Sequence, residues 1–101
     1  MIHKNIVNVI FQFFKDKYGF VLKNIKIYYL SLDCCGMANY DKGEIYINHE
    51  LNESEKAITL VHEIEHLYQE YILNMDDNER ENDSIKTEEE FMEYLLSYWL
   101  V

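Results

Sequence analysis

This sequence has no proline, only three glycines and only two cysteines. Without proline, no residue forces a helix to break by removing a backbone N–H. With few glycines, few positions reach the left-handed backbone region freely, so the composition favours helices and limits tight turns. The two cysteines, Cys34 and Cys35, are adjacent. Neighbouring cysteines seldom bridge each other, and the pair lacks CxxC spacing. They read as two reduced thiols at a strand end.

Positive charge is also scarce. Nine Lys and Arg stand against nineteen Asp and Glu, for a net charge of −10. Binding a phosphate backbone needs a basic surface, so nucleic acid is not expected as a direct partner. The balance suits solubility or a basic protein partner. Long apolar runs are missing as well. None approaches the ~20 residues that a membrane-spanning helix requires. The start, Met1-Ile2-His3-Lys4, does not lead into the apolar stretch and small-residue cleavage site of a secretory leader, so a cytoplasmic location is expected.

What is present is ample material for a core. Hydrophobic residues make up 49% and aromatics 15% of 101 residues, which predicts one domain over 1–101 with one modest core. Ile2, Ile6, Val9, Ile10, Phe13 and Phe14 recur at spacings of three and four, predicting a helix over 2–18 that Gly19 ends. Ile25, Ile27 and Tyr29 alternate with Lys26 and Tyr28, predicting a strand over 23–30. Residues 37–40 and 44–48 flank Asp41-Lys42-Gly43 and read as a hairpin. Asn52, with Glu55 three residues on, resembles a capping box opening a helix over 53–73. Residues 74–86 are polar and acidic and read as a mobile loop. Thr87 is then expected to cap a last helix with Phe91, Leu95 and Tyr98 on its inner stripe and Met92 and Trp99 beside it. This order predicts an α+β fold with a small antiparallel or mixed sheet.

Within the 53–73 helix lies His62-Glu63-Ile64-Glu65-His66, an HExxH pentapeptide. Histidines at i and i+4 point the same way from a helix, so both imidazoles can bind one zinc ion, and the intervening Glu63 is placed to accept a proton from an attacking water. Ala57, Leu60, Ile64, Leu67 and Tyr71 form the apolar stripe of this helix, and His62 and His66 project from the other side among Glu55, Thr59, Gln69 and Glu70. A core histidine would sit in the stripe. The remaining alternative to a metal pair is a solvated polar face that carries two histidines. A catalytic zinc needs a third protein ligand. Glu88, Glu89, Glu90 and Glu93 on the last helix and His49 before the central one are the candidates, and Glu88 lies in line with Phe91, Leu95 and Tyr98. Glu90 is spaced to reach back to a Thr87 cap. The run of glutamates also reads simply as a complement to a helix dipole.

The pieces Gly36-Met37-Ala38-Asn39-Tyr40-Asp41, Glu44-Ile45-Tyr46-Ile47-Asn48, Thr59 through His66 and Glu88 through Leu96 together resemble the ImmA/IrrE family of zinc metallopeptidase-like domains. The resemblance covers Ile25 to the C-terminus and is strongest at HExxH. It implies a minimal, gluzincin-like zincin fold: N-terminal helix, small sheet with hairpin, HExxH helix and C-terminal helix. It carries His62 and His66 over as zinc ligands, Glu63 as catalytic base and Glu88 as third ligand. Glu65 stands where the family often has Gly, and Phe91 and Met92 replace small residues. Family members occur in phages and mobile elements and can act on repressor proteins, so the implied activity is hydrolysis of a peptide bond in a regulatory or DNA-binding protein.

For the substrate, residues Glu44, Ile45, Tyr46, Ile47 and Asn48 are expected to pair with an extended peptide by strand addition. A chain this small has few walls for a cleft, and a protein partner or a homodimer is one way to complete it. Two other classes of function compete. One is a non-catalytic acidic module on the same scaffold that sequesters a basic or DNA-binding protein. The other is a closed structural zinc site, which would take a fourth ligand from His49 or a cysteine.

Overall fold

In a computed structural model the chain forms three helices and a three-stranded mixed sheet, an α+β fold. The structure describes residues 2–72 and 75–99, with the side chains of Ile72, Tyr98 and Trp99 left aside. The expectations for Leu73, Asn74 and the side chains of Tyr98 and Trp99 therefore lie outside the described residues.

Helix α1 runs Lys4–Tyr18 and ends at Gly19, whose φ of 83° supplies the left-handed C-cap. It starts two residues later than its apolar pattern because the His3 side chain caps it, accepting from the Asn5 N–H. Ile2 still packs into the core, 3% exposed. Strand β1 is Lys26–Leu30, β2 is Gly36–Asn39 and β3 is Glu44–Asn48. The β2–β3 hairpin is antiparallel, as its turn residues predict, and β1 pairs with β3 in parallel. The sheet order is β1-β3-β2. Strand β3 is therefore central, with Ile45 and Ile47 fully buried.

That order corrects the expected role of Glu44, Ile45, Tyr46, Ile47 and Asn48. Both hydrogen-bonding edges of their strand are occupied, by β1 and β2, so it has no edge to offer a substrate. The free edge on the hairpin side belongs to β2.

Helix α2, Glu53–Ile72, opens with the expected box: Asn52 Oδ1 accepts from the Glu55 N–H at 2.8 Å, and Glu55 Oε1 accepts from the Asn52 N–H at 3.0 Å. Its stripe of Ala57, Leu60, Ile64 and Leu67 is buried. Burying each large aliphatic side chain is worth about 1.5–3 kcal/mol, enough to hold the helix despite the polar groups that it also buries. Tyr71 breaks the stripe: it is 71% exposed, because the last turn of α2 runs past the core. Tyr68 is buried instead and stacks on Phe14 and Tyr18 of α1.

The largest departure from expectation is helix α3, Asp77–Trp99. Residues 77–86 are its first turns rather than a loop. Asp76 caps it, its Oδ1 accepting from the Glu79 N–H at 2.8 Å. Thr87 is not a cap. It is fully buried within α3 and accepts from Lys17 Nζ at 2.8 Å. The polar residues Ser84 and Thr87 are buried against neighbours, so this stretch carries no apolar period to mark it as helix. No helix among the described residues is long and apolar enough to cross a membrane.

Candidate metal centre

The side of α2 opposite its apolar stripe is covered by the first half of α3. His62 and His66 sit beneath this cover, their side chains 17% and 12% exposed. Their rings meet edge to face, centroids 4.7 Å apart. Ligand atoms of His62, Glu63 and His66 all lie within 4.8 Å of one another. The structure thus brings the three HExxH residues together and gives their helix face a neighbour in place of solvent.

The carboxylate opposite the two rings comes from Glu81. Its Oε1 is 3.0 Å from His62 Nε2, and its Oε2 is 3.4 Å from His66 Nε2. Glu81 was hidden from the sequence reading inside the presumed loop. The signal that could have found it is the Asp76-x-x-Glu79 cap, which starts α3 early enough to bring Glu81, Ser84 and Glu88 onto one face. Glu88, the residue that the family resemblance favoured, approaches the other nitrogen of His62: its Oε2 is 3.5 Å from Nδ1.

The tautomer of His66 follows from its hydrogen bond to Gln69. Gln69 is fully buried, and its Nε2 donates to the Arg80 carbonyl at 2.8 Å and to Asp83 Oδ2 at 2.9 Å. That orientation turns Oε1 toward His66 Nδ1 at 2.9 Å, so Nδ1 is the donor. Glu88 Oε2 stands at ion-pair distance from His62 Nδ1 without a hydrogen bond to it. With its proton on Nδ1, His66 turns an Nε2 lone pair toward the Glu81 carboxylate, and His62 Nε2 faces the same carboxylate. Lone pairs facing lone pairs repel. A cation between them, or protonation of the rings, turns the arrangement attractive. His62, Glu63 and His66 form a group that could hold a metal ion, and Glu81 brings a further carboxylate to the two rings.

Glu63 completes the cluster. It is 7% exposed, and no described residue gives its carboxylate a hydrogen bond or ion pair. Burial pushes its pKa up to about 7; His66 pulls it down, while Glu81 and Glu88 push it further up. A carboxylate held near neutrality suits proton transfer. It opens on a cleft of about 560 Å³ whose walls include Gly36, Ile58 and Thr59. Gly36 is required there by space: a Cβ would lie 2.6 Å from Thr59 Cγ2 and 2.9 Å from the Tyr46 carbonyl oxygen.

The other candidate ligands stand apart. Glu90 pairs with Lys17 at 3.3 Å. Glu89 and Glu93 are exposed. His49 Nε2 is 2.9 Å from Ser31 Oγ. Cys34 and Cys35 are free thiols, and Cys35 reaches only the cleft lining. Among the described residues, neither His49 nor a cysteine joins the three-residue cluster.

Behind His66 lies a second buried acid. Glu65 is fully buried, and the Tyr18 hydroxyl donates to its carboxylate at 2.8 Å and 2.6 Å. Burial, and then its hydrogen bond with Asp83, push its pKa up to about 8, against the opposing pull of Tyr18 and Lys17. Burial also pushes Asp83 up, but hydrogen bonds with Glu65 and Gln69 outweigh it and hold Asp83 below the usual range. The opposite directions of the two shifts favour the proton on Glu65 over Asp83. Glu65 thus joins α1 to the core of α2.

No family model and no curated protein sequence matches this chain.

Proposed function

We propose that this protein is a zinc-dependent metallopeptidase in which His62, His66 and Glu81 hold the metal and Glu63 is the general base. The observation that carries this reading is the approach of the Glu81 carboxylate to Nε2 of both His62 and His66, at 3.0 Å and 3.4 Å, beside a buried Glu63 that takes no hydrogen bond or ion pair from a described residue. The resemblance to ImmA/IrrE domains supports it, with Glu81 in the ligand role that resemblance implied for Glu88. The fold is then a minimal zincin.

A bound zinc ion supplies Lewis acidity, lowering the pKa of a water and polarising a carbonyl. Gln69 accepts from the Nδ1–H group of His66 and fixes that ring, and Glu88 lies beside Nδ1 of His62. Glu63, close to neutrality, takes a proton from the attacking water and can pass it to the leaving amine. Strand β2 begins at the cleft wall and has its outer edge free, so an extended peptide pairing there passes Glu63. The natural substrate in this reading is a regulatory or DNA-binding protein, as in the resembling family.

Purified protein should bind about one zinc per chain, and His62→Ala should abolish binding. Glu63→Gln should keep the metal and lose proteolysis. Stoichiometric zinc that survives His62→Ala removes the site. Equal proteolysis in Glu63→Gln removes the base. Tight capture of a basic protein without cleavage by either form would favour the acidic binding module.

A further inference from the structure

The cleft beside Glu63 carries more carboxylates than a metal site uses. Glu55, Glu63, Glu81 and Glu88 line it, with Ile58 and Thr59 between, and no Lys or Arg is among the lining residues. The surrounding sequence has the same sign. From Glu50 onward the chain holds fifteen Asp and Glu against three Lys and Arg; before it, the counts are four and six. Two of those three cations are already engaged: Arg80 pairs with Glu70 at 3.1 Å, and Lys56 is 9% exposed beside the Tyr29 ring.

An acidic cluster alone only marks a solvated surface. Here a second observation points to an occupant. Glu63 is nine-tenths buried, faces the cleft, and takes no hydrogen bond or ion pair from any described residue. Its burial has a cost that a donor or cation within the cleft would offset. A dication offsets the charge of the carboxylates that hold it and leaves that of Glu55, another residue of the cleft lining, uncompensated. Glu55 uses Oε1 for the Asn52 N–H and leaves Oε2 unengaged. The Ile58 and Thr59 wall offers apolar surface to an alkyl stem whose charged head meets a carboxylate.

We infer that the cleft selects a peptide segment carrying a Lys or Arg side chain beside the bond to be cut, with Glu55 and Glu88 setting the preference. This rests on the metallopeptidase reading and narrows its substrate class. The anionic half of the molecule raises the local concentration of cationic segments and rejects acidic ones.

The test uses zinc-loaded full-length protein and peptides of one length that differ only in a Lys, Arg, Gln, Leu or Glu beside the scissile bond. Two readouts run together: kcat/KM by mass spectrometry, and binding of the same peptides to zinc-loaded Glu63→Gln by fluorescence anisotropy. The Lys and Arg peptides should exceed the Gln peptide by about tenfold, and the advantage should shrink between about 50 and 300 mM salt. Glu55→Gln keeps the cap acceptor and should lower the Lys-to-Gln ratio several-fold; Glu55→Lys should shift preference toward the Glu peptide. Cleavage of the Lys and Gln peptides at equal rates would overturn this inference and leave the peptidase reading standing. Lys-selective binding that Glu55→Gln abolishes, with no cleavage by wild type, would sustain the cleft's preference and overturn the peptidase reading. Binding and cleavage both indifferent to charge would overturn the inference.

Discussion

Gln69 accepts a hydrogen bond from Nδ1 of His66 at 2.9 Å, and its own amide hydrogens are tied to the Arg80 carbonyl and Asp83. The side chain cannot flip without breaking both ties, so it fixes which nitrogen of His66 is left for a metal. Gln69→Leu should lower zinc affinity by about 10–100-fold. It should also cost about 1–3 kcal/mol of stability, because the Arg80 carbonyl loses its partner. A chelator-competition titration and a urea melt of the metal-free protein separate the two effects. Unchanged affinity in a destabilised variant would reduce Gln69 to a packing role.

Glu81 and Glu88 are both acidic and both touch His62, but on opposite nitrogens. Glu81→Gln should therefore weaken zinc binding more than Glu88→Gln. In the proposed site the first removes a charged ligand and the second only a carboxylate beside the outer nitrogen of His62. The same titration, run on both variants, ranks them. The reverse order would return the third-ligand role to Glu88.

The metal-free protein should lose stability as pH rises. Glu65 has its folded pKa raised to about 8 from 4.5. Below the lower value both states are protonated and the group contributes nothing. Between the two values the unfolded chain ionises first, which favours unfolding; above about 8 the loss is complete. Glu63, raised to about 7 with burial as the leading cause, acts in the same direction. Asp83, held low, has the opposite sign: its stabilisation is present above the ordinary Asp range and fades only as pH falls below it. It therefore leaves the window from about 4.5 to 8 to the glutamates. Glu65→Gln mimics the protonated acid, accepting from Tyr18. Urea melts of the metal-free forms should find it close to wild type at pH 5 and more stable at pH 8. A variant with the wild-type slope would show that Glu65 titrates normally.

Gly36→Ala should destabilise the fold by about 1–3 kcal/mol, since the new Cβ overlaps Thr59 Cγ2 and the Tyr46 carbonyl oxygen. Thr59→Ser removes the first obstacle and leaves the second, so the double variant should recover part of the loss. Full additivity in a double-mutant cycle would mean that the two positions do not meet.

The features legible in the sequence are those with a period or a cap. The stripe from Ala57 to Leu67, the Asn52–Glu55 box, the Gly19 stop and the hairpin turn each rest on neighbours within a few residues. The HExxH pair belongs to this class, because i and i+4 spacing on a helix alone brings two rings together. Glu81 escaped because α3 begins with residues whose burial is polar. Ser84 and Thr87 sit inside on hydrogen bonds to Gln69 and Lys17, and such burial leaves no apolar rhythm. Strand β3 was misjudged as a docking edge for a different reason. Its partner β1 arrives by a parallel crossover, and no local pattern records which strand ends in the middle.

The hairpin, α2 and α3 follow one another in chain order, and every group named for the proposed metal site lies between Gly36 and Glu88. During synthesis the two histidines leave the ribosome before the carboxylate that closes over them. Nascent chains halted shortly after Gln69 would carry the HExxH helix without its cover, and the proposed ligand set would be complete only once Glu81 has emerged.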